Sequence, residues 1–331
     1  MPIKGKIWPQ KPGGEITCDL RSIGLIDKSG HDPANKLTGW EEVDCIVCGE
    51  KAPSAIFLHN KERGDIVRCL ACGLAFRTPR RLEQFIGQEF AEKFTESQPA
   101  FFLIDYREKN LRKIARWVLG RHPGPGSVLD IGSSYGTLLE MFPESWVRVG
   151  IEPSGAACQV ARERLPKAQI IHSLLGDASL PDASFDVITM VDTVYFLSFA
   201  LRDLMKLKRL LKPGGILVIE AQNFTNRGYL YRWLSHPIPP TWMYFYTPAT
   251  LTRLLGKVGM KVQASLSLPG HQVGSKRRLA RFLTWAEYYL TESMAKISAG
   301  RVNFTPHFAL EATPDDNESR QASGESDAIV K

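Results

Sequence analysis

The chain has 331 residues, 44% of them hydrophobic and 23% charged, with a formal net charge of +7. That length holds one large domain and a small module, and the composition is that of a globular protein, which excludes disordered and fibrous classes. No apolar run approaches the roughly 20 residues of a membrane span and residues 1–14 lack the apolar centre of a secretory signal, so a cytoplasmic location is expected; the modest charge admits an anionic partner without requiring one.

Residues 1–40 show little periodicity and read as an extension. Residues 41–80 hold Cys45-Ile46-Val47-Cys48-Gly49 and Cys69-Leu70-Ala71-Cys72-Gly73. Paired Cys-x-x-Cys units in a reducing compartment predict metal binding over disulfides. A redox dithiol usually has one such unit, not two. Four thiolates in a tetrahedron suit a structural Zn²⁺ with no open position. The segment is therefore expected to be a four-cysteine zinc ribbon with ligands Cys45, Cys48, Cys69 and Cys72. Its spacer predicts strands over Ala55–His59 and Asp65–Arg68, and metal binding would supply its folding energy. Cys18 and Cys158 stand apart and read as ordinary thiols, with Cys158 packing inward.

Residues 81–99 are a charged connector. From Phe101 to Leu119 the apolar positions Ile104, Leu111, Ile114, Ala115, Val118 and Leu119 recur at helical spacing. His122-Pro123-Gly124-Pro125-Gly126 stops that helix. The next stretch, Ser127-Val128-Leu129-Asp130-Ile131-Gly132-Ser133-Ser134-Tyr135-Gly136-Thr137-Leu138-Leu139-Glu140, reads as a buried strand, a glycine turn and the start of a helix. Gly132 and Gly136 mark where a Cβ would block a ligand pressed on the backbone. Asp130 ends a strand at the edge where open α/β sheets bind ligands. Glu152 ends the next apolar stretch, at a distance suited to holding a ribose diol. The turn is not Gly-x-Gly-x-x-Gly and no Gly-Lys-Ser/Thr follows, which excludes a dinucleotide fingerprint and a P-loop.

Asp130-Ile131-Gly132 with Gly136 and Glu152 resembles the S-adenosylmethionine (SAM) site of the class I methyltransferases, with Ser134 standing where the family turn has a further glycine. The resemblance implies an α/β, doubly wound, Rossmann-like sheet of seven strands, the last antiparallel, over residues 127–313. It implies cofactor contacts from Asp130, Gly132, Ser134, Gly136 and Glu152, with the helix of segment 81–126 covering the pocket. Gly176-Asp177-Ala178 is similar to the family's adenine loop, so Asp177 would accept from the adenine amino group and the Ala178 N–H would reach the ring. A turn or cap role is the other reading of Asp177. Leu211-Lys212-Pro213-Gly214-Gly215 before Ile216–Glu220 is another family mark, read as helix stop and strand entry. The segment Cys72–Arg80 is similar to the zinc module fused to some methyltransferases of sugar and natural-product pathways.

Ser154 is placed to cap a helix through Arg164, Ile170–Ser173 reads as a third strand, and Phe185–Met190 as the fourth. Residues 224–246 break periodicity and read as a lid insertion over the substrate pocket. Thr247-Pro248 starts a helix to Val258. Met260–Leu266 is a strand, Lys276–Ala299 a helix, Arg301–Ala312 an antiparallel last strand, and residues 314–331 a disordered tail.

Asp192 and Tyr195, after the fourth strand, are the first candidates for orienting a methyl acceptor; a helix cap and a packed aromatic are their alternatives. Asn223 follows the fifth strand and is either a pocket or a loop residue. His236 is the candidate general base, with a surface histidine as its alternative. Trp242 stands where relatives often carry a histidine. The first reading is a SAM-dependent methyltransferase acting on a small-molecule acceptor, a sugar or secondary metabolite. A second sends the methyl group to RNA, with Lys61, Arg63, Arg68, Arg77, Arg80 and Arg81 as one basic face and Lys276, Arg277, Arg278 and Arg281 as another. A third is an inactive methyltransferase fold serving as an interaction module.

Overall fold

The computed structural model describes residues 40–49, 54–58, 64–82, 105–225, 242–269, 278–298 and 305–315. The expectations for residues 1–39, for most of the connector 81–99 and for residues 316–331 lie outside these. The chain divides into a unit of residues 1–40, of which Trp40 is described, and a unit of residues 41–331. The sheets and helices below all lie in the second.

The ribbon half contributes β1 (Ser54–Leu58), β2 (Asp65–Cys69) and β3 (Ala75–Thr78). There follow α1 (Asp105–Arg121), β4 (Ser127–Ile131), α2 (Thr137–Glu140), β5 (Val147–Glu152), α3 (Gly155–Arg164), β6 (Gln169–His172) and β7 (Phe185–Val191). The chain continues with α4 (Ala200–Leu210), β8 (Leu211–Gln222), β9 (Tyr244–Phe245), α5 (Pro248–Lys257), β10 (Met260–Leu268), α6 (Arg278–Ile297) and β11 (His307–Pro314).

Seven strands make one sheet in the order β10-β11-β8-β7-β4-β5-β6. β6, β5, β4, β7 and β8 pair in parallel, and β11 runs antiparallel to both β8 and β10. Every residue of β4 is buried, as a central parallel strand covered on both faces requires. Leu111, Ile114, Ala115 and Val118 of α1 pack with Val128, Leu138, Leu139, Phe142 and Cys158. Leu129, Ile131, Ile188 and Ile219 pack on the other side with Leu204, Leu207, Leu251 and Leu254 of α4 and α5. Ile104, expected on α1, lies outside the described residues. Among the described residues no helix is long and apolar enough to cross a membrane.

The helix starts follow their local chemistry. Ser154 Oγ accepts from the Ala157 N–H at 3.3 Å and caps α3. Thr247 and Thr250 exchange hydrogen bonds in a capping box, with Pro248 opening α5. Leu211–Gly215 differs from the sequence reading. α4 ends at Leu210, and the Pro-Gly-Gly stretch is a bulge inside β8, whose register against β7 jumps between Leu211 and Ile216.

β9 departs from the lid expected over residues 224–246. Residues 226–241 lie outside the described ones. Tyr244 and Phe245 pair antiparallel with Phe76 and Ala75, giving a second sheet in the order β9-β3-β2-β1. The Tyr-Phe-Tyr run alternates no polar residue, which suits a strand buried on both faces. The ribbon and the large sheet therefore share one core, in which Cys45, Val67, Cys69, Leu74 and Phe76 pack with Tyr195, Met243, Tyr244 and Tyr246.

Candidate functional site

The glycine turn leaves β4 with Gly132 at φ 73°, Ser134 at φ 49° and Gly136 at φ 74°. A Cβ on Gly132 would meet Thr193 Oγ1 at 2.4 Å, and one on Gly136 would meet Leu165 Cδ1 at 2.7 Å. These glycines therefore make room for the protein itself, where the sequence argument looked to a ligand. Gly132 and Ser133 donate to Ile151 O at 2.8 and 3.1 Å, tying the turn to β5.

Glu152, buried at the end of β5, accepts from the Ser134 N–H at 2.9 Å through Oε2 and from the Ser154 N–H at 2.9 Å through Oε1. Asp130 is also buried, and its Oδ1 accepts from the Thr189 hydroxyl at 2.7 Å. Asp177 is exposed in a turn after β6, and the buried Ala178 sends its N–H to Leu174 O at 3.1 Å. Lys206, on α4, donates to the carbonyls of Leu175, Gly176 and Ala178 at 2.7, 3.0 and 2.6 Å. Burial is the main influence that holds the Lys206 ammonium below its ordinary pKa.

At the end of β7, Asp192 takes φ 52°, a left-handed conformation rare outside glycine. Its N–H donates to Glu220 Oε2 at 3.0 Å, and its Oδ1 lies 3.4 Å from the Tyr195 hydroxyl. The N-cap of the short 3₁₀ turn that follows is Thr193, not Asp192. Tyr195 is buried, stacks on Trp242, and takes the Gln222 N–H on its hydroxyl. Asn223 is buried, with its N–H on Pro306 O at 2.8 Å. His236 lies outside the described residues.

Two residues here went unmarked in the sequence. Glu220 is 2% exposed and His307 is fully buried, with His307 Nδ1 2.6 Å from Glu220 Oε1. An acid closing the apolar run Ile216–Ile219 at the ligand edge was a usable signal. His307 carried none, because its partner lies on a strand far away in sequence.

The four ribbon cysteines bring their sulfurs within 4.8 Å of one another. Gly49 and Gly73 follow the second cysteine of each pair at φ 88° and 80°, and their N–H groups close turns on Cys45 O and Cys69 O. Burial alone raises the Cys69 thiol, but the amide hydrogens of Cys72 and Ala71 outweigh it and bring it down to about 7. The Leu74 N–H points at Cys72 Sγ, 3.5 Å away. Four sulfurs so placed, with backbone donors aimed at Cys45, Cys69 and Cys72, fit a tetrahedral thiolate-binding ion.

The basic face proposed for RNA loses two of its members. Arg77 and Arg80 are 2% and 4% exposed. Arg77 donates to Trp242 O and Gly64 O at 3.1 and 2.9 Å, and Arg80 to the Tyr244 hydroxyl at 2.6 Å and to Glu41 at 2.9 Å. Both hold β9 and the ribbon together. Lys61, Arg63, Lys276 and Arg277 lie outside the described residues, as do the side chains of Arg81, Arg278 and Arg281.

Comparison with known proteins gives these residues a context. Residues 102–265 match the family model described as a methyltransferase domain. The chain is 35% identical over 116 residues to a demethylmenaquinone methyltransferase of Tropheryma whipplei, covering 34% of this chain and 48% of that one. It is 24% identical over 166 residues to a ubiquinone biosynthesis O-methyltransferase of Rhodopseudomonas palustris, covering 46% and 65%. The chain thus spans about half to two thirds of the length of the curated relatives it matches. Among solved structures it is similar to the 1,6-didemethyltoxoflavin-N1-methyltransferase of Burkholderia thailandensis, with a TM-score of 0.50, 12% identity, and cover of 75% of this chain and 98% of that one. Sheet order and family match agree: residues 102–265 are a methyltransferase domain, and its sheet has the Rossmann-like fold of the class I methyltransferases.

Proposed function

We propose that this protein transfers the methyl group of SAM to a small-molecule acceptor. The observation that carries the proposal is the clasp by which Glu152 takes the N–H of Ser134 in the glycine turn and that of Ser154 at the start of α3. It supports a rigid cradle at the carboxyl edge of the parallel strands, where open α/β sheets take their ligands. In this reading Glu152 holds the ribose hydroxyls, Asp177 accepts from the adenine amino group, and Gly132, Ser134, Gly136, Asp130 and Ala178 complete the cofactor's surroundings. The bound sulfonium supplies an electrophilic methyl with a good leaving group, so positioning accounts for most of the rate.

Asp192 and Tyr195 orient the acceptor. Tyr195 is fixed on both sides, by the Trp242 ring and by the Gln222 N–H, so its hydroxyl has one defined direction. A small acceptor is supported by the similarity to a demethylmenaquinone methyltransferase and a ubiquinone biosynthesis O-methyltransferase. It is also supported by the burial of Arg77 and Arg80, which removes part of the surface an RNA would need. Cys45, Cys48, Cys69 and Cys72 hold a structural Zn²⁺ with no coordination position left for chemistry.

Calorimetry with S-adenosylhomocysteine tests the proposal. Micromolar binding is expected. Absence of heat at high micromolar concentration would leave only a fold used as an interaction module.

A further inference from the structure

Asp192, Glu220 and His307 each present a ligand atom within 4.8 Å of the other two. Oxygen ligands bind small divalent cations at about 2.0–2.6 Å, so two ligands of one ion lie at most about 4–5 Å apart. The three atoms meet that limit without any backbone movement. They come from the ends of β7 and β8 and the start of β11, three neighbouring strands, so the sheet itself fixes their spacing.

A fourth donor stands on the same face of the sheet. Gln222 is 9% exposed, and its Oε1 is buried with no hydrogen-bond partner. A buried carbonyl oxygen left in this way destabilises the fold unless something binds it. Gln222 is the register partner of His307 and lies two residues from Glu220, so all three side chains stand on one face of the sheet.

We propose that Asp192, Glu220, His307 and the Gln222 carboxamide form a second metal site, for a divalent cation of the Mn²⁺ or Mg²⁺ type, at the acceptor edge of the sheet. Two carboxylates, one imidazole and one amide oxygen make a hard, mostly oxygen donor set, unlike the four thiolates of the ribbon, and such sets select Mn²⁺ and Mg²⁺ over soft ions. Without the ion, His307 Nδ1 and Glu220 Oε1 bond to each other at 2.6 Å. On binding, the neutral His307 ring takes the tautomer with its proton on Nε2, which frees Nδ1, and Nδ1 and Glu220 Oε1 both turn lone pairs to the cation. The Glu220 Oε2 contact with the Asp192 N–H is kept, and it holds Asp192 in its left-handed conformation facing the ion. The cation's part in methyl transfer, as the holder of an acceptor oxygen, rests on the methyltransferase reading; metal binding itself does not.

The test is titration of the zinc-loaded full-length protein with Mn²⁺, following loss of the free-ion electron paramagnetic resonance signal. One Mn²⁺ per chain is expected, with zinc content unchanged. Asp192→Asn and His307→Gln should each weaken it about tenfold or more. Asp192 is only partly buried, so Asp192→Asn serves as the decisive variant if His307→Gln fails to fold. No uptake of Mn²⁺ at millimolar concentration, or equal uptake by Asp192→Asn, overturns the site. S-adenosylhomocysteine calorimetry on the same samples separates the two proposals. Cofactor binding without Mn²⁺ uptake removes only the metal site, and Mn²⁺ uptake lost in Asp192→Asn without cofactor binding sustains the site while the methyltransferase reading falls.

Discussion

Trp242 lies flat on Tyr195, with ring centroids 4.3 Å apart and planes 14° from parallel. The contact joins two parts of the chain that the sequence kept separate. Arg77 of β3 donates to Trp242 O at 3.1 Å, and the Met243 N–H donates to Tyr195 O at 2.9 Å. The ribbon is thus linked to the residue expected to orient the acceptor. A chelator that strips the proposed zinc under reducing conditions should loosen β3 and unstack the pair, a contact worth about 0.5–1.5 kcal/mol. Tryptophan emission should shift to the red, and the shift should shrink in Trp242→Leu. An identical shift in the variant would show that the ribbon and Tyr195 are uncoupled.

Glu152→Ala should cost both stability and cofactor affinity. It leaves two N–H groups, of Ser134 and Ser154, without their acceptor. Each buried donor so orphaned costs about 1–3 kcal/mol. Urea melts give the first quantity and S-adenosylhomocysteine calorimetry the second. A variant that melts lower but binds equally well would place the ribose elsewhere.

Lys206→Met should weaken S-adenosylhomocysteine by about tenfold, the equivalent of one charge-assisted hydrogen bond of about 1.5 kcal/mol. The ammonium gathers three carbonyls of the Asp177 turn, and a thioether gathers none. Lys206→Arg should recover part of the loss. Equal affinity in all three proteins would mean that the turn holds its shape unaided.

Tyr246→Phe should stabilise the protein by about 1 kcal/mol, because the Tyr246 hydroxyl is fully buried with no hydrogen-bond partner. Burial, aided by the neighbouring Tyr244, pushes its phenol well above the ordinary tyrosine value. The folded chain keeps the proton after the unfolded chain has lost it. Stability is therefore whole below the unfolded pKa of about 10 and declines as pH rises above it. Melts at increasing alkaline pH should show a smaller decline in Tyr246→Phe. A parallel decline in both proteins would assign the effect to Tyr244.

Ser134→Gly should raise stability by about 1 kcal/mol, since Ser134 sits at φ 49°, where a side chain is strained. Its buried Oγ has no partner to lose. A lower melting point in the variant would show that the hydroxyl is used.

Much of this was legible because it is local. Ser154 and Thr247-Pro248 announce helix starts through hydrogen bonds spanning three residues, and both caps form. The strand-turn-helix over Ser127–Glu140 likewise carries its own period and glycines. What escaped needs distant partners. Tyr244 and Phe245 show no strand signal longer than two residues, and only Phe76 and Ala75 make them one. Glu220 and His307 become a pair only because β11 returns antiparallel beside β8. Arg77 and Arg80 looked like surface charge, since arginine is rarely buried unless paired, and their acceptors lie on Trp242 and Tyr244.

The late arrival of β9 also sets an order of events during synthesis. β3 ends at Thr78 and its outer neighbour begins at Tyr244. At roughly 5–20 residues per second a ribosome needs on the order of 10–30 s to cover that interval. For that time the nascent ribbon carries an open edge at Ala75 and Phe76, a template for pairing with a neighbouring nascent chain until Tyr244 and Phe245 cover it.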